Sequence, residues 1–81
     1  MSIRILFFAT LADIAGVRET TIENAGLPDV SSVFARFARK HPGLQVHQKS
    51  VLFAVNSEFA RPDTPVHDGD EVAFFPPASG G

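Results

Sequence analysis

Three histidines, one acidic run and a glycine-ended C-terminus are the parts of this 81-residue sequence whose residue types could carry chemistry. His41, His47 and His67 would form a metal set only if two of them shared one element at ligand spacing. Each falls in a different loop or helix end, so no metal site is expected. The run Asp68-Gly69-Asp70-Glu71 lacks the alternating oxygen ligands of a calcium loop and reads as a solvated turn. Gly16, Gly26, Gly43 and Gly69 are isolated, which leaves no phosphate loop or dinucleotide fingerprint. Ser31 and Ser32 belong to the first turn of a helix, with nothing beside them to mark a nucleophile. There is no cysteine, so disulfides, thiolate metal sites and cysteine nucleophiles are excluded together.

The remaining candidate is the final stretch, FFPPASGG. At an average glycine usage of ~7%, a random terminal pair is about a 1-in-200 event, a modest signal by itself. Without a Cβ, Gly80 and Gly81 can pass a channel too narrow for other residues and adopt backbone angles closed to them. Pro76 and Pro77 hold the preceding segment extended and direct it away from the body. From Ala78 through Ser79 to Gly81 an extended chain reaches on the order of 13 Å at ~3.3 Å per residue, enough to carry the terminal carboxylate into another protein's active site. A free carboxylate is a poor acyl donor and needs outside activation, most simply as an acyl-adenylate. On the residues alone, a frayed end accounts for SGG as well as a presented carboxylate does.

A presented end needs a body to present it. The opening run Ile3 to Phe8 is rich in β-branched and aromatic residues and reads as a strand, with Ile3, Ile5 and Phe7 on one face and Arg4, Leu6 and Phe8 on the other. Arg4 marks the second face as the outer one. Leu11 to Gly16 reads as a short helical turn, Glu19 to Glu23 as a second strand, and Leu27-Pro28-Asp29 as the start of a helix capped by Asp29. Val30, Val33, Phe34, Phe37 and Ala38 make its buried stripe, Arg36, Arg39 and Lys40 suit its C-terminal end, and His41-Pro42-Gly43 stops it. A third strand is expected over Val51 to Val55 with a turn at Asn56-Ser57, then loop over Pro62 to Asp70, and a last strand over Glu71 to Phe75.

The order strand, strand, helix, strand, strand predicts an α+β domain, a mixed sheet with one main helix packed on a single face, over residues 1–77, followed by a flexible diglycine tail at 78–81. By the parity that places Arg4 outside, Glu71, Ala73 and Phe75 face away from the helix. If the first and last strands are neighbours, Leu6, Phe8 and Phe75 form one apolar patch on the uncovered face, with Phe59 as an addition from the turn before. Such a patch usually marks a partner site.

The net charge of −2 is interspersed and gives no electropositive footprint, so no nucleic acid is expected as a partner. No apolar run approaches the ~20 residues that span a bilayer and no cleavable leader is evident, so no membrane association is expected and a cytoplasmic location is.

The stretches AVNSEFARPDTPVHDGDEVAFFPPASGG (Ala54 to Gly81) and ILFFATLADIAG together resemble the small-subunit family of molybdopterin synthase, ubiquitin-like sulfur carriers with a β-grasp fold. The likeness covers both ends and most of the chain; AVN, DGDEVAFFPP and the terminal GG in combination make it specific. It implies a cosubstrate more than a catalyst. An ATP-dependent adenylating enzyme of the ubiquitin-activating type would form an acyl-adenylate on Gly81, and a sulfur donor would convert it to a thiocarboxylate. The tail would then enter the large subunit, expected as a heterotetramer, which would pass the sulfur to precursor Z (cyclic pyranopterin monophosphate).

Two such transfers build the dithiolene that later holds molybdenum or tungsten. The large subunit supplies the catalytic residues, and ATP is used by the partner enzyme, so this chain is expected to bind no cofactor. The family's apolar partner contacts fall on Phe8, Phe59 and Phe75, the positions that strand parity reaches. Ala78 stands where valine is usual and Val66 where leucine is usual. A carrier for another product, such as the thiamine thiazole or an amino acid, a ubiquitin-like modifier of lysines, and a plain interaction domain are the competing readings.

Overall fold

The computed structural model describes residues 2–23 and 26–77. Strand β1 (Ser2–Phe7) alternates strictly, with Ile3, Ile5 and Phe7 buried and Arg4 exposed, so its parity is the one its residue types dictate. Helix α1 (Thr10–Ala15) is a short turn ended by Gly16, whose φ of 79° only glycine adopts without strain. Strand β2 (Glu19–Glu23) returns antiparallel to β1.

Helix α2 (Val30–Lys40) begins where the Asp29 carboxylate accepts from the Ser32 backbone N–H at 2.9 Å and from its hydroxyl at 2.8 Å. Its stripe of Val30, Val33, Phe34 and Ala38 is buried, and Phe37 is half-buried against the same core. Arg39 and Lys40 occupy the last turn.

Two elements differ from the sequence expectation. After His41, where the sequence predicted no element before the third strand, Pro42–His47 form a 3₁₀ helix, with Pro42 pre-set for its first turn and Leu44 fully buried. A Cβ on Gly43 would meet the Ile14 side chain at 3.0 Å, so this turn lies close against α1. Strand β3 (Leu52–Val55) starts one residue later than expected, and after the Asn56-Ser57 turn the chain pairs back as β4 (Glu58–Ala60). Both turn residues have positive φ, 52° and 72°, as a two-residue hairpin of type I′ requires. β4 has three residues and polar flanks, too short to show a period.

The last strand, β5 (Glu71–Phe75), lies between β1, to which it runs parallel, and β3, to which it runs antiparallel. The five-stranded order is β2, β1, β5, β3, β4, a mixed sheet with α2 on one face, as expected for the α+β class. Phe74, in the central strand, is fully buried with ring centroids of Phe34, Phe7 and Phe53 at 5.0, 5.4 and 5.7 Å. This aromatic cluster joins helix to sheet. Among the described residues no polar or charged side chain is buried, so the core is purely apolar.

Candidate functional site

Among the described residues no element covers the face of the sheet opposite α2, and strand register decides what that face displays. Leu6 on β1 pairs with Ala73 on β5, Ala73 with Ala54 on β3, and Ala54 with Phe59 on β4. One row therefore carries a large side chain at each end and two alanines between. In the next row Phe8 stacks on Phe75 at 4.5 Å with 12° between the rings, and Phe75 pairs with Leu52. Stacking of this kind adds about 0.5–1.5 kcal/mol beyond area burial. Phe59 lies 6.1 Å from Phe75 and joins the rows.

Phe59 is 81% exposed and Phe8 41% exposed, while Leu6 and Phe75 are half-buried. Leu6, Phe8, Phe59 and Phe75 are thus one continuous apolar face, the patch that parity anticipated. Leu52, 43% exposed, belongs to it and was missed, because its place beside Phe75 depends on β3 pairing with β5. Its alternation within the Val51 to Val55 run was the only signal available. Ala73, on the outer face by parity, is nonetheless buried, since a methyl group between Leu6 and Ala54 lies below its taller neighbours.

The low alanines leave a trough of about 160 Å³, walled by Leu6, Phe8, Phe59 and Phe75 and closed at one end by Ser57 and Glu71. A wider groove of about 540 Å³ opens on the other side of Phe8, between β1, α1 and the start of β2, with Asp13, Arg18 and Glu19 in its walls. Between the two, Phe8 is held by a turn in which the Leu11 N–H donates to the Phe8 carbonyl at 3.1 Å. Ala9 occupies the second position of that turn at φ 53°, ψ −133°, a conformation that normally calls for glycine and costs a residue with a Cβ about 1–3 kcal/mol.

Charge is confined to the rim. The Arg4 guanidinium donates to Glu19 at 2.6 Å and lies 3.2 Å from Glu71. The hydrogen bond to Glu19 first, and the nearby charges second, raise the Arg4 pKa above its ordinary value; the same bond lowers that of Glu19. Beside the trough's polar end, Asn56 ties the β3–β4 turn to the start of β5. Its amide donates to Asp70 at 3.0 Å, its side-chain oxygen accepts from the Glu71 N–H at 3.0 Å, and the His67 N–H donates to Asp70 at 2.8 Å.

The Asn56 hydrogen bond, followed by the His67 N–H, holds the Asp70 carboxyl below the usual aspartate range. Because the folded pKa lies below the unfolded one, this stabilisation is complete at neutral pH and drains away as pH falls through the folded value. Asp70→Asn is expected to lower stability by about 1 kcal/mol at neutral pH. The gap from wild type should close in acid, below the ordinary aspartate pKa. Urea melts across that range measure it, and a gap independent of pH contradicts the assignment.

The other candidate groups do not assemble. His41 caps α2, His47 ends the 3₁₀ helix, and His67 is exposed in the turn before β5. Among the described residues no three histidine or carboxylate side chains converge as a metal site would. Also among them, no helix is long and apolar enough to cross a membrane. Pro76 and Pro77 leave the sheet directly after Phe75, so the chain exits at the Phe8–Phe75–Leu52 end of the apolar face. Expectations for Ser79, Gly80 and Gly81, and for a flexible tail over 78–81, fall outside the described residues.

A five-stranded mixed sheet grasping one helix, with its open face apolar beside the exit of the C-terminal segment, defines a ubiquitin-like protein of the β-grasp class. The model of the ThiS family matches residues 5–81, and the chain belongs to that family. It is 40% identical to a molybdopterin synthase sulfur carrier subunit of Chlamydomonas reinhardtii, with both chains covered in full. It is 37% identical to the Escherichia coli (strain K12) protein of the same name, over 98% of this chain and 99% of that one. The crystal structure of SAMP1 from Haloferax volcanii superposes with a TM-score of 0.78 at 28% identity over the whole of both chains.

Proposed function

We propose that this chain is the sulfur carrier subunit of a molybdopterin synthase and that its reactive group is the carboxylate of Gly81. The observation that carries this reading is the 40% identity, end to end, to a molybdopterin synthase sulfur carrier subunit, with the family match running through Gly81. A ubiquitin-activating-type adenylyltransferase joins the carboxylate to AMP, and ATP loses pyrophosphate. A sulfur nucleophile then displaces AMP to leave a thiocarboxylate. Docked on the large subunit, within a heterotetramer in the cytoplasm, the thiocarboxylate sulfur bonds to a carbon of precursor Z as a carbon–oxygen bond there breaks and the oxygen leaves, and hydrolysis of the acyl–sulfur bond returns the Gly81 carboxylate. This chain's folded body positions that end and binds no cofactor; the ATP belongs to the activating enzyme.

That these relatives are subunits of a synthase supports a large-subunit partner, and the apolar face at the chain's exit supplies a surface for it. Intact mass after incubation with the activating enzyme, ATP and a sulfur source tests the reading. The expected gain equals one oxygen exchanged for sulfur; an unchanged mass rejects it. A lysine modifier is the second reading, favoured by the full-length likeness to the small archaeal modifier protein SAMP1, and adducts through Gly81 in cell extracts would support it.

Phe75→Asp is expected to weaken association with the large subunit by about 30-fold or more, the scale of an interface hot spot of 2 kcal/mol or above. Its ring lies on the open face, so the melting transition should remain cooperative. Undiminished binding by titration calorimetry removes the apolar face from the interface.

A further inference from the structure

The charge of this chain is more segregated than its total of −2 suggests. Residues 30–57 hold Arg36, Arg39, Lys40 and Lys49, together with His41 and His47, and no carboxylate; the other residues hold all nine Asp and Glu side chains and only three cations. Arg36, Arg39 and Lys40 stand three and four residues apart on the side of α2 turned from its core stripe, all exposed, and Lys49 is exposed just past the 3₁₀ helix. Among the described residues the ion pairs are Arg4 with Glu19 and Glu71, Arg61 with Asp63, and His67 with Asp70. None involves these four cations.

Like charges at this spacing repel across one helical turn. The helix dipole offsets that cost for Arg39 and Lys40 in the last turn, but does nothing for Arg36, which precedes it. The cluster also has a fixed base: the Gln45 side chain donates to the Ala38 carbonyl at 3.2 Å, and the Ser50 and Val51 N–H groups both donate to the His47 carbonyl. Within the same stretch Val46 is 79% exposed, an apolar contact point among polar neighbours.

Its place in the fold points to the tail. Phe37 of α2 meets Phe7 edge-on at 5.1 Å; Phe7 ends β1 and pairs with Phe74 in β5. Lys49 is three residues ahead of Leu52, which pairs with Phe75. The C-terminal half of α2 and the segment leaving the 3₁₀ helix thus lie at the end of the sheet where β5 stops. Six residues beyond Phe75 reach about 20 Å at ~3.3 Å each, so a protein seated on the basic face is within range of Gly81.

Gly81 is open to sulfur only as an acyl-adenylate, and so only while the activating enzyme holds the chain. The protein that brings the sulfur must use a surface left free at the same end of the molecule, and must depart after each turnover. Charge suits so brief an encounter, because electrostatic attraction raises the rate of meeting more than the affinity.

Resting on the carrier reading, we propose that the basic face of Arg36, Arg39, Lys40 and Lys49 receives an acidic surface of the protein that delivers sulfur to Gly81. That protein carries the sulfur as a cysteine persulfide. The outer sulfur attacks the Gly81 acyl carbon, the bond from that carbon to the phosphate oxygen breaks, and AMP leaves. A thiol then attacks the donor's cysteine sulfur, so that thiol and cysteine become a disulfide and the thiocarboxylate is released.

The test supplies the full chain, activating enzyme and ATP with sulfur in two ways: as the persulfide of a cysteine desulfurase preloaded with cysteine, or as sodium sulfide. Initial rates come from intact mass without reductant, as donor-linked chain in the first arm and oxygen exchanged for sulfur in the second, at several salt concentrations. The triple variant Arg36→Gln, Arg39→Gln, Lys40→Gln keeps good helix formers in α2, Lys49→Gln lies outside it, and melting curves check both. With the desulfurase the triple variant should react about tenfold more slowly at low salt, Lys49→Gln several-fold more slowly, and both with a flatter salt dependence. With sulfide, which needs no docking, both should match wild type.

Variants that match wild type in the desulfurase arm overturn the proposal. So does an equal loss in both arms, which assigns the face to the activating enzyme, and so does wild type that takes sulfur from sulfide alone. If the desulfurase rates are unmoved while an RNA oligonucleotide binds wild type and not the triple variant, the face belongs to nucleic acid and the proposal falls. Wild type that gains sulfur in neither arm defeats the carrier reading itself.

Discussion

A chain shortened by Gly81 is expected to fold, to bind the large subunit as tightly as the full chain, and to transfer no sulfur. The first two outcomes follow from position. The core ends with Phe74, and the apolar face ends with Phe75 and its neighbours Phe8 and Leu52. Removing a residue six places beyond Phe75 leaves these contacts in place.

The third outcome follows from reach. Without Gly81 the carboxylate withdraws by about 3.3–3.6 Å, while misplacing a reacting group by 1 Å can cost about 100-fold in rate. The residue left at the end, Gly80, lets the shortened chain enter the same channel, so blocked entry does not explain the loss. Single-turnover product formation, measured beside melting and binding curves, separates the three properties. Transfer at the wild-type rate by the shortened chain would falsify the assignment of the reactive group to Gly81.

The largest loss of stability is expected from Phe74→Ala. Phe74 is fully buried and its ring meets three others, from α2, β1 and β3. Truncating such a side chain costs about 3–5 kcal/mol, part lost transfer energy and part cavity. An 81-residue domain has roughly 4–12 kcal/mol in total at 0.05–0.15 kcal/mol per residue. The variant should therefore be largely unfolded at the low end of that range and melt at least about 12 °C lower at the high end, at 4–8 °C per kcal/mol.

Phe75→Asp, one residue along, is expected to do the opposite: it keeps the fold and loses the partner. Thermal melts of the two variants compare them directly. A Phe74→Ala protein as stable as wild type would mean that the cluster around Phe74 does not hold helix to sheet.

The contrast between Phe74 and Phe75 was legible in the sequence because strand parity is local. Side chains alternate along a strand whatever it pairs with, so one charged residue, Arg4 in β1 or Glu71 in β5, orients the whole segment. The α2 stripe and its Asp29 cap were legible for the same reason, being set by spacing within a few residues. The 3₁₀ helix and β4 were not. Neither is long enough to repeat a period, and each is fixed by what it packs or pairs with: Leu44 in the core, and β3 across the Asn56-Ser57 turn.

The residue types alone settled that Leu6, Phe8 and Phe75 turn away from the core, that the last strand stops at two prolines, and that this chain brings no cysteine to the chemistry. The tertiary structure alone decided that β5 lies between β1 and β3, which stacks Phe8 on Phe75, sets Leu52 beside it, and turns two distant alanines into the floor of a trough. Alternation is a property of one strand's backbone, whereas neighbourhood and register are properties of pairs of strands far apart in the chain. The site on the open face is made of such pairs.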